Sequence, residues 1–515
     1  MAYSLAVRRL HGLQDSPLPV LPMIPRSVSQ AIDTAQRAQR ARRFLTLKAF
    51  DVSTEAGRSD ERHRRIALAS ASGIGSRVIA SATMLVSLPL TVRYLGDERY
   101  GLWMTIGSLV SVLGITDLGL GYGVITRVSE ADGQQDRARA AGIVTSAFLL
   151  LSGIALVILA LVAICYPWID WAGLYNVTPG SIAALEAGPA SAVFLVCFAL
   201  GLPLSVIARA QVGYQDGHVS NAWDAVGHAL SLGTLLLAIR SDAGLPWLVL
   251  AVSGSPVAVR LVAALVEFLV RRPWLAPRPR LFAWSSALDL LRIGIWYFVI
   301  QVSATLAFAL DNLIIARMGS PALVATYSVV VRLFGLVITT LSTVQAALWP
   351  AYGESIARGD IDWARRTLRR SLAVTALIAG PATVALAAAG PWLIARFIDA
   401  SVQPDMWLVS GVAAWSLSVC LSSALGVFLH GAGAIRLQAV LTLGMAIASF
   451  VAKVLGMELA GIAGVAWAGA LAHFLALVVP AMVLAPRRIR SLGQAGPGQA
   501  LVATPESEAE ERVMR

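Results

Sequence analysis

Three arginines lie deep inside long apolar stretches of the chain: Arg77, Arg260 and Arg332. Arg77 follows Ile66 by 11 residues, about 16 Å along a helix that rises 1.5 Å per residue. A guanidinium facing lipid at such depth costs roughly 2.5–3.5 kcal/mol, and snorkelling works only near helix ends. Each arginine should therefore face a wet cavity or a carboxylate. No acid stands at i±3 or i±4 from Arg260 or Arg332, so a cavity role is expected for both. An excess of arginine at mid-depth favours an anionic substrate, with Arg77, Arg260 and Arg332 as its contacts.

Four further positions could couple or gate. Asp117 is the natural partner for Arg77 and begins Asp117-Leu-Gly119-Leu-Gly121-Tyr-Gly123. Alternating glycines there weaken helix continuity and expose backbone, which singles out Gly119 and Gly121. Two readings stand for Arg77 and Asp117: a static ion pair that fixes packing, or a functional charge. Asp311 lies about one and a half turns from Arg317 and nearer the outer face. Asp224 and His228, one turn apart, read as interfacial.

Catalytic chemistry has little to build on. The six histidines form no HExxH grouping, and there is no phosphate-loop, nucleophile-elbow or dinucleotide pattern. The longest outer loop, Tyr166 to Glu186, carries only Asp170 and Glu186 as acids and no Lys, Arg or His. Cys165, Cys197 and Cys420 show no metal-ligand spacing. An enzyme is not expected, nor a metal or cofactor.

The elements that must carry these residues follow from composition. Apolar residues are 57% of the chain and charged ones 14%, against roughly 45–50% and 25% in soluble domains; mean hydropathy is +0.71. From Ile66 onward, apolar stretches long enough to cross a ~30 Å hydrocarbon core recur. They fall near 66–92, 100–126, 141–166, 187–209, 218–240, 245–270, 290–316, 321–349, 371–395, 405–430, 436–456 and 459–485. The expected fold is all-α: a polytopic membrane protein of about 12 transmembrane helices in two pseudo-symmetric six-helix bundles. The expected organisation is a disordered basic tail (1–65), a first bundle (66–272), a cytoplasmic linker (273–289), a second bundle (290–486) and a C-terminal tail (487–515). Arg8 and Arg9 precede no apolar run, so a signal peptide is not expected. A short amphipathic piece around 31–50 could touch anionic lipid.

Charge sets the orientation. With the N-terminus inside, 32 of the 41 Lys and Arg residues fall on inner segments. Six lie on outer loops: Arg93, Arg99, Arg240, Arg317, Arg396 and Lys453. That alternation places both termini in the cytoplasm. It also explains the formal charge of +11 without a nucleic-acid partner. The halves echo each other: Gly133-Gln-Gln-Asp136-Arg-Ala-Arg139 matches Gly359-Asp-Ile-Asp362-Trp-Ala-Arg365, each after a short outer turn with Gly96 or Gly319. Six helices per half is an even number, so the halves share one orientation about an axis along the membrane normal, with a substrate path between them.

The run Arg93-Tyr-Leu-Gly96-Asp-Glu-Arg-Tyr100-Gly101-Leu-Trp103, followed by Asp117-Leu-Gly119-Leu-Gly121, resembles the N-terminal signature of Wzx-type polysaccharide flippases. These belong to the multidrug/oligosaccharidyl-lipid/polysaccharide exporter superfamily. In the second half, Asp311, Gly319, Tyr327 and Ala347-Leu-Trp349-Pro350-Ala-Tyr352, then Arg358-Gly359-Asp360, are similar to the family's later pattern. The resemblance covers roughly residues 66–485; the Arg-rich tail departs from the family's usual short N-terminus. It implies a bacterial inner-membrane exporter that moves an undecaprenyl-diphosphate-linked oligosaccharide, a repeat unit of a surface polysaccharide or exopolysaccharide, by alternating access. Implied partners are the lipid-linked glycan, membrane lipid, and a glycan polymerase or assembly proteins. A drug/cation antiporter of the same superfamily is the alternative.

Overall fold

The structure is a computed structural model that describes residues 46, 48–51, 53–113, 119–319, 321–397 and 404–494. Its regular elements are helices, as a lipid environment demands of backbone that must satisfy its own hydrogen bonds. In chain order they are α1 (Glu55–Leu113), α2 (Leu120–Gly133), α3 (Arg137–Cys165), α4 (Ile182–Gly213), α5 (Gly217–Arg240) and α6 (Leu245–Arg271). There follow α7 (Trp284–Met318), α8 (Pro321–Ala346), α9 (Leu348–Ala357), α10 (Ile361–Phe397), α11 (Met406–Gly431), α12 (Ile435–His473) and α13 (Val479–Gln494).

Among the described residues ten helical segments are long and apolar enough to cross a membrane. The last, Ile435–Leu492, is two spans: at Ala460 and Gly461 the backbone leaves helical geometry. The expected second span, 100–126, is divided. Helix α1 turns at Gly96 (φ 69°, ψ 176°) and continues to Leu113, and α2 starts after Gly119. Residues 114–118, and with them Asp117, lie outside the described residues. At its start α1 reaches to Glu55, inside the segment expected to be a tail, with Thr54 Oγ1 accepting from the Gly57 amide at 3.0 Å. The amphipathic piece around 31–50 lies mostly outside the described residues.

The surface inverts the rule for soluble proteins. Leu161, Leu377 and Leu475 are more than half exposed, whereas small and polar groups such as Ser129, Ser146, Ser191, Ser355 and Ser416 are fully buried. Helices in lipid gain little by hiding leucine, so close contact between small residues draws them together instead.

Predicted inner segments collect at one end of the molecule. Arg62 reaches Glu354 and Asp360, Arg65 reaches the Tyr214 carbonyl, and Arg127 reaches Asp289. Asp216 meets Arg271 and Arg272, and Arg488 meets the Ala432 carbonyl. We call this the basic end. Predicted outer loops meet at the other end, where Tyr94 bonds the Ala243 carbonyl and Arg99 pairs with Glu186.

Pseudo-symmetry is visible in single contacts. Inner turns after α2 and α9 each carry one left-handed residue, Gln135 (φ 57°) and Gly359 (φ 84°). This equates Asp136 with Asp360 and moves the repeat register by two residues from the sequence alignment. In that register Gly133 corresponds to Ala357 and Ser129 to Gly353, and the corresponding positions touch. A Cβ on Gly133 would lie 2.6 Å from the Ala357 Cβ, and one on Gly353 would lie 2.5 Å from Ser129 Oγ. Likewise Gly213 packs on Val128 and the Ile125 carbonyl, as Gly431 packs on Tyr352 and the Trp349 carbonyl. The pseudo-two-fold axis therefore passes between α2 and α9.

Lys453 corrects the sequence reading. Counted there among outer-loop cations, it is buried in α12. The chain reverses only at Ala460–Gly461, which leaves Lys453 two turns inside the bundle. Its charge is met across the bundle by Asp311, whose Oδ1 accepts from Nζ at 2.5 Å, and by the Ala307 carbonyl at 2.7 Å.

Candidate functional site: an arginine-lined cavity

One helix face from each of five segments encloses a cavity of about 700 Å³. Its lining follows helical spacing. Ala69, Gly73, Ser76, Arg77 and Ala80 come from α1; Ser205, Ala208, Arg209 and Val212 from α4; Gly217, Ser220, Asn221, Asp224 and His228 from α5. Arg260 projects from α6, and Ser342, Thr343 and Ala346 from α8 of the second bundle, with Ala347 beyond it. Helical spacing gives α1, α4, α5 and α8 each one small or polar stripe, and these converge with Arg260 between the bundles.

Arg77 and Arg260, expected as substrate contacts, are thus brought together. A third cation, Arg209, joins them. By hydropathy Arg209 ends its apolar span and counts among the inner-segment cations; the sequence signal that points to the cavity is its polar stripe with Ser205. The Arg209 guanidinium lies over the Tyr122 ring at 5.1 Å. Arg260 lies 3.6 Å from Asp224, and both side chains are over one-third exposed (39% and 38%). So long and open a pair is weak and free to exchange partners. Asp224 and His228, read as interfacial, line the cavity. Three guanidinium groups face one carboxylate, so the hollow attracts anions.

Other expected residues lie elsewhere. Arg332 is exposed on α8. It precedes Thr343 by 11 residues, which places it on the same helix face about 16 Å further from the basic end, outside the cavity lining. Asp311 is buried against Lys453 and accepts from the Tyr327 hydroxyl at 2.7 Å, within the second bundle. Gly119 starts α2 in the left-handed region (φ 74°), and a Cβ there would fall 2.4 Å from the Gly294 carbonyl oxygen. The chain needs glycine at that position on both counts. Gly121 is buried in α2.

Below the cavity, toward the basic end, the bundles are shut against each other. Tyr122 of the first bundle stacks on Tyr297 and Trp349 of the second, at 5.1 and 5.7 Å between ring centroids. His430 closes the cluster against Trp349 at 4.7 Å. Beyond it stand two cross-bundle ion pairs: Arg62 with Glu354 at 2.5 Å, and Arg127 with Asp289 at 2.7 Å. The outer-end contacts named above, Tyr94 with Ala243 and Arg99 with Glu186, stay within the first bundle. Among the described residues, the aromatic cluster and the two ion pairs thus clamp the bundles on the basic side of the cavity.

Comparison with known proteins agrees with the motifs. Residues 247–401 match a family model described as polysaccharide biosynthesis protein. A protein of Yersinia pseudotuberculosis named for O-antigen export is 21% identical over 310 residues, covering 57% of this chain and 67% of its own. Among solved structures, a MATE transporter in its bent conformation superposes with a TM-score of 0.72 at 16% identity, over 84% of this chain and 96% of that one. A MOP superfamily transporter from Pyrococcus furiosus, whose binding pocket of reverse polarity suggests a different function, gives a TM-score of 0.67 at 15% identity. It covers 83% of this chain and 96% of its own. The fold is that of the MATE transporters, and the sequence matches bear out the resemblance to polysaccharide flippases.

Proposed function

From a multi-pass membrane chain with the MATE fold and a sequence resembling the polysaccharide flippases, we propose that it carries an undecaprenyl-diphosphate-linked oligosaccharide from the inner to the outer leaflet of a bacterial inner membrane. The rate barrier for such a lipid is the passage of a diphosphate and polar sugars through hydrocarbon. One observation carries the reading: Arg77, Arg209 and Arg260 share a cavity between the bundles with a single carboxylate, Asp224. Guanidinium forks replace phosphate hydration well, while the polyprenyl tail stays in lipid. In this reading the first bundle, α1–α6, rocks against the second, α7–α13, and the aromatic cluster with its two ion pairs is the gate that closes behind the substrate.

Rescue of surface glycan in a strain lacking its flippase tests this. The expected result is restored glycan export by the intact chain, and lipid-linked glycan held on the cytoplasmic leaflet with the Arg77→Leu/Arg260→Leu chain. Restored export with that double variant would remove the support.

A drug/cation antiporter is the second reading, favoured by the MATE neighbours. Uptake of a fluorescent cation into vesicles separates the two, because a hollow with excess arginine should exclude such a substrate.

A further inference from the structure

A second cavity, of about 810 Å³, lies at the basic end beyond the gate. It stacks on the first along shared helices. Arg65 and Ala69 are one turn apart on α1, and Val212 near the end of α4 is two residues from Tyr214 just past it, with one of each pair in each cavity. Its lining holds seven arginines (58, 62, 65, 137, 271, 272 and 358) against four carboxylates, Glu61, Asp132, Asp136 and Glu354. One of those arginines, Arg62, also makes the gate, and so does Glu354. Glu354 receives Arg62 from the first bundle and Arg358 from its own helix region, and Arg62 bonds Asp360 as well, at 2.7 Å. The cavity wall therefore includes the largely buried ion pair that clamps the bundles, next to whatever anion occupies the cavity.

Resting on the flippase reading, we propose that this cavity is a docking site for a diphosphate group, which takes Arg62 from Glu354 and so unlocks the basic end. A diphosphate presents more charge and more acceptor oxygens than one carboxylate, and Arg62 and Arg65 stand one turn apart to share it. Glu354 keeps Arg358 when Arg62 leaves, so no buried carboxylate is stranded. The clamp then responds to the substrate's own headgroup, and the bundles part only when cargo is present.

The test uses the full chain in phosphatidylcholine nanodiscs, with spin labels at Gln134 and Arg366 and with Cys165→Ser. Inorganic pyrophosphate is the probe. Saturable binding and a longer label-to-label distance are expected. Arg65→Gln/Arg137→Gln should weaken binding about tenfold or more, the loss expected for charged hydrogen bonds, with thermal unfolding unchanged. Glu354→Gln should lengthen the distance without probe and bind pyrophosphate at least as tightly. Binding with no change in distance, or affinity no better than for sulfate, overturns the proposal. Discs containing polyprenyl diphosphate should open the pair as pyrophosphate does. Opening by phosphatidylglycerol alone would assign the site to ordinary anionic lipid and overturn the diphosphate assignment. A chain that rescues surface glycan yet fails both readouts overturns this proposal alone, whereas one that passes both but exports only cations overturns the flippase reading alone.

Discussion

Glu130 and Glu354 hold the same place in the two bundles, and both are buried against arginines, yet only Glu354 is held from across the axis. Glu130 takes Arg127 at 2.8 Å and Arg139 at 3.7 Å, both from its own bundle. Glu354 takes Arg62 from the other bundle. The cross-bundle bridge near Glu130 runs instead from Arg127 to Asp289. The two carboxylates should therefore differ in effect. Glu130→Gln leaves both bridges in place, and Glu354→Gln loosens one of them. Maleimide labelling of a cysteine at Ser129, offered from the basic end, should rise with Glu354→Gln and stay low with Glu130→Gln.

Losing a cavity arginine should cost transport before it costs the fold. Arg77→Leu and Arg260→Leu each remove charge-assisted bonds worth about 1.5–3 kcal/mol, a tenfold or larger fall in glycan export at unchanged protein level. Arg332, on the same face of α8 as Thr343 but outside the lining, should also lower export more than protein level when changed to alanine. Export and immunoblot measured on the same cells decide this, and equal losses would assign Arg332 to folding.

The Asp311–Lys453 pair should behave oppositely. Removing one partner leaves an uncompensated buried charge, costing about 3–5 kcal/mol. Lys453→Met should therefore lower the unfolding temperature in detergent sharply. Adding Asp311→Asn to the same chain should recover most of the loss, since neutral partners carry no such penalty.

Asp132 supplies a pH dependence. It lies at the basic end outside the spanning segments, and burial pushes its carboxyl up to about 6, with Glu354 adding to the rise and Arg65 opposing it. A carboxyl raised in the fold favours folding when protonated. Its contribution is whole below the ordinary value of 3.8 and is lost as pH climbs to about 6. Asp132→Asn should therefore be more stable than the parent at pH 7.5, by roughly 2–3 kcal/mol, with the difference gone below pH 4. Melting curves across that range check it.

Much of this architecture was legible in the chain. Apolar length and the alternation of Lys and Arg define spans and ends, because the cost of crossing lipid acts on each segment by itself. The same cost makes Arg77 and Arg260 stand out in the chain, and both line the cavity. What escaped depends on partners distant in sequence. Lys453 looks like a loop cation until Asp311, in another helix, is set beside it. Asp224 looks interfacial until Arg260 meets it. Arg209 at the end of its apolar run is indistinguishable from a loop arginine by hydropathy. The repeat register slipped by two because a glycine in one turn was matched to a glycine in the other, whereas the left-handed residue is Gln135 in the first and Gly359 in the second.

Gly133 against Ala357 and Ser129 against Gly353 are contacts of a position with its own counterpart. Such self-meeting is the mark of a two-fold homodimer, in which one surface patch recognises its own copy. A single six-helix ancestor could have assembled by that patch alone, in a common orientation, before duplication and fusion joined two copies. Within that shared frame the halves differ: the first supplies the arginines of the hollow, and the second seals a lysine and an aspartate into its interior.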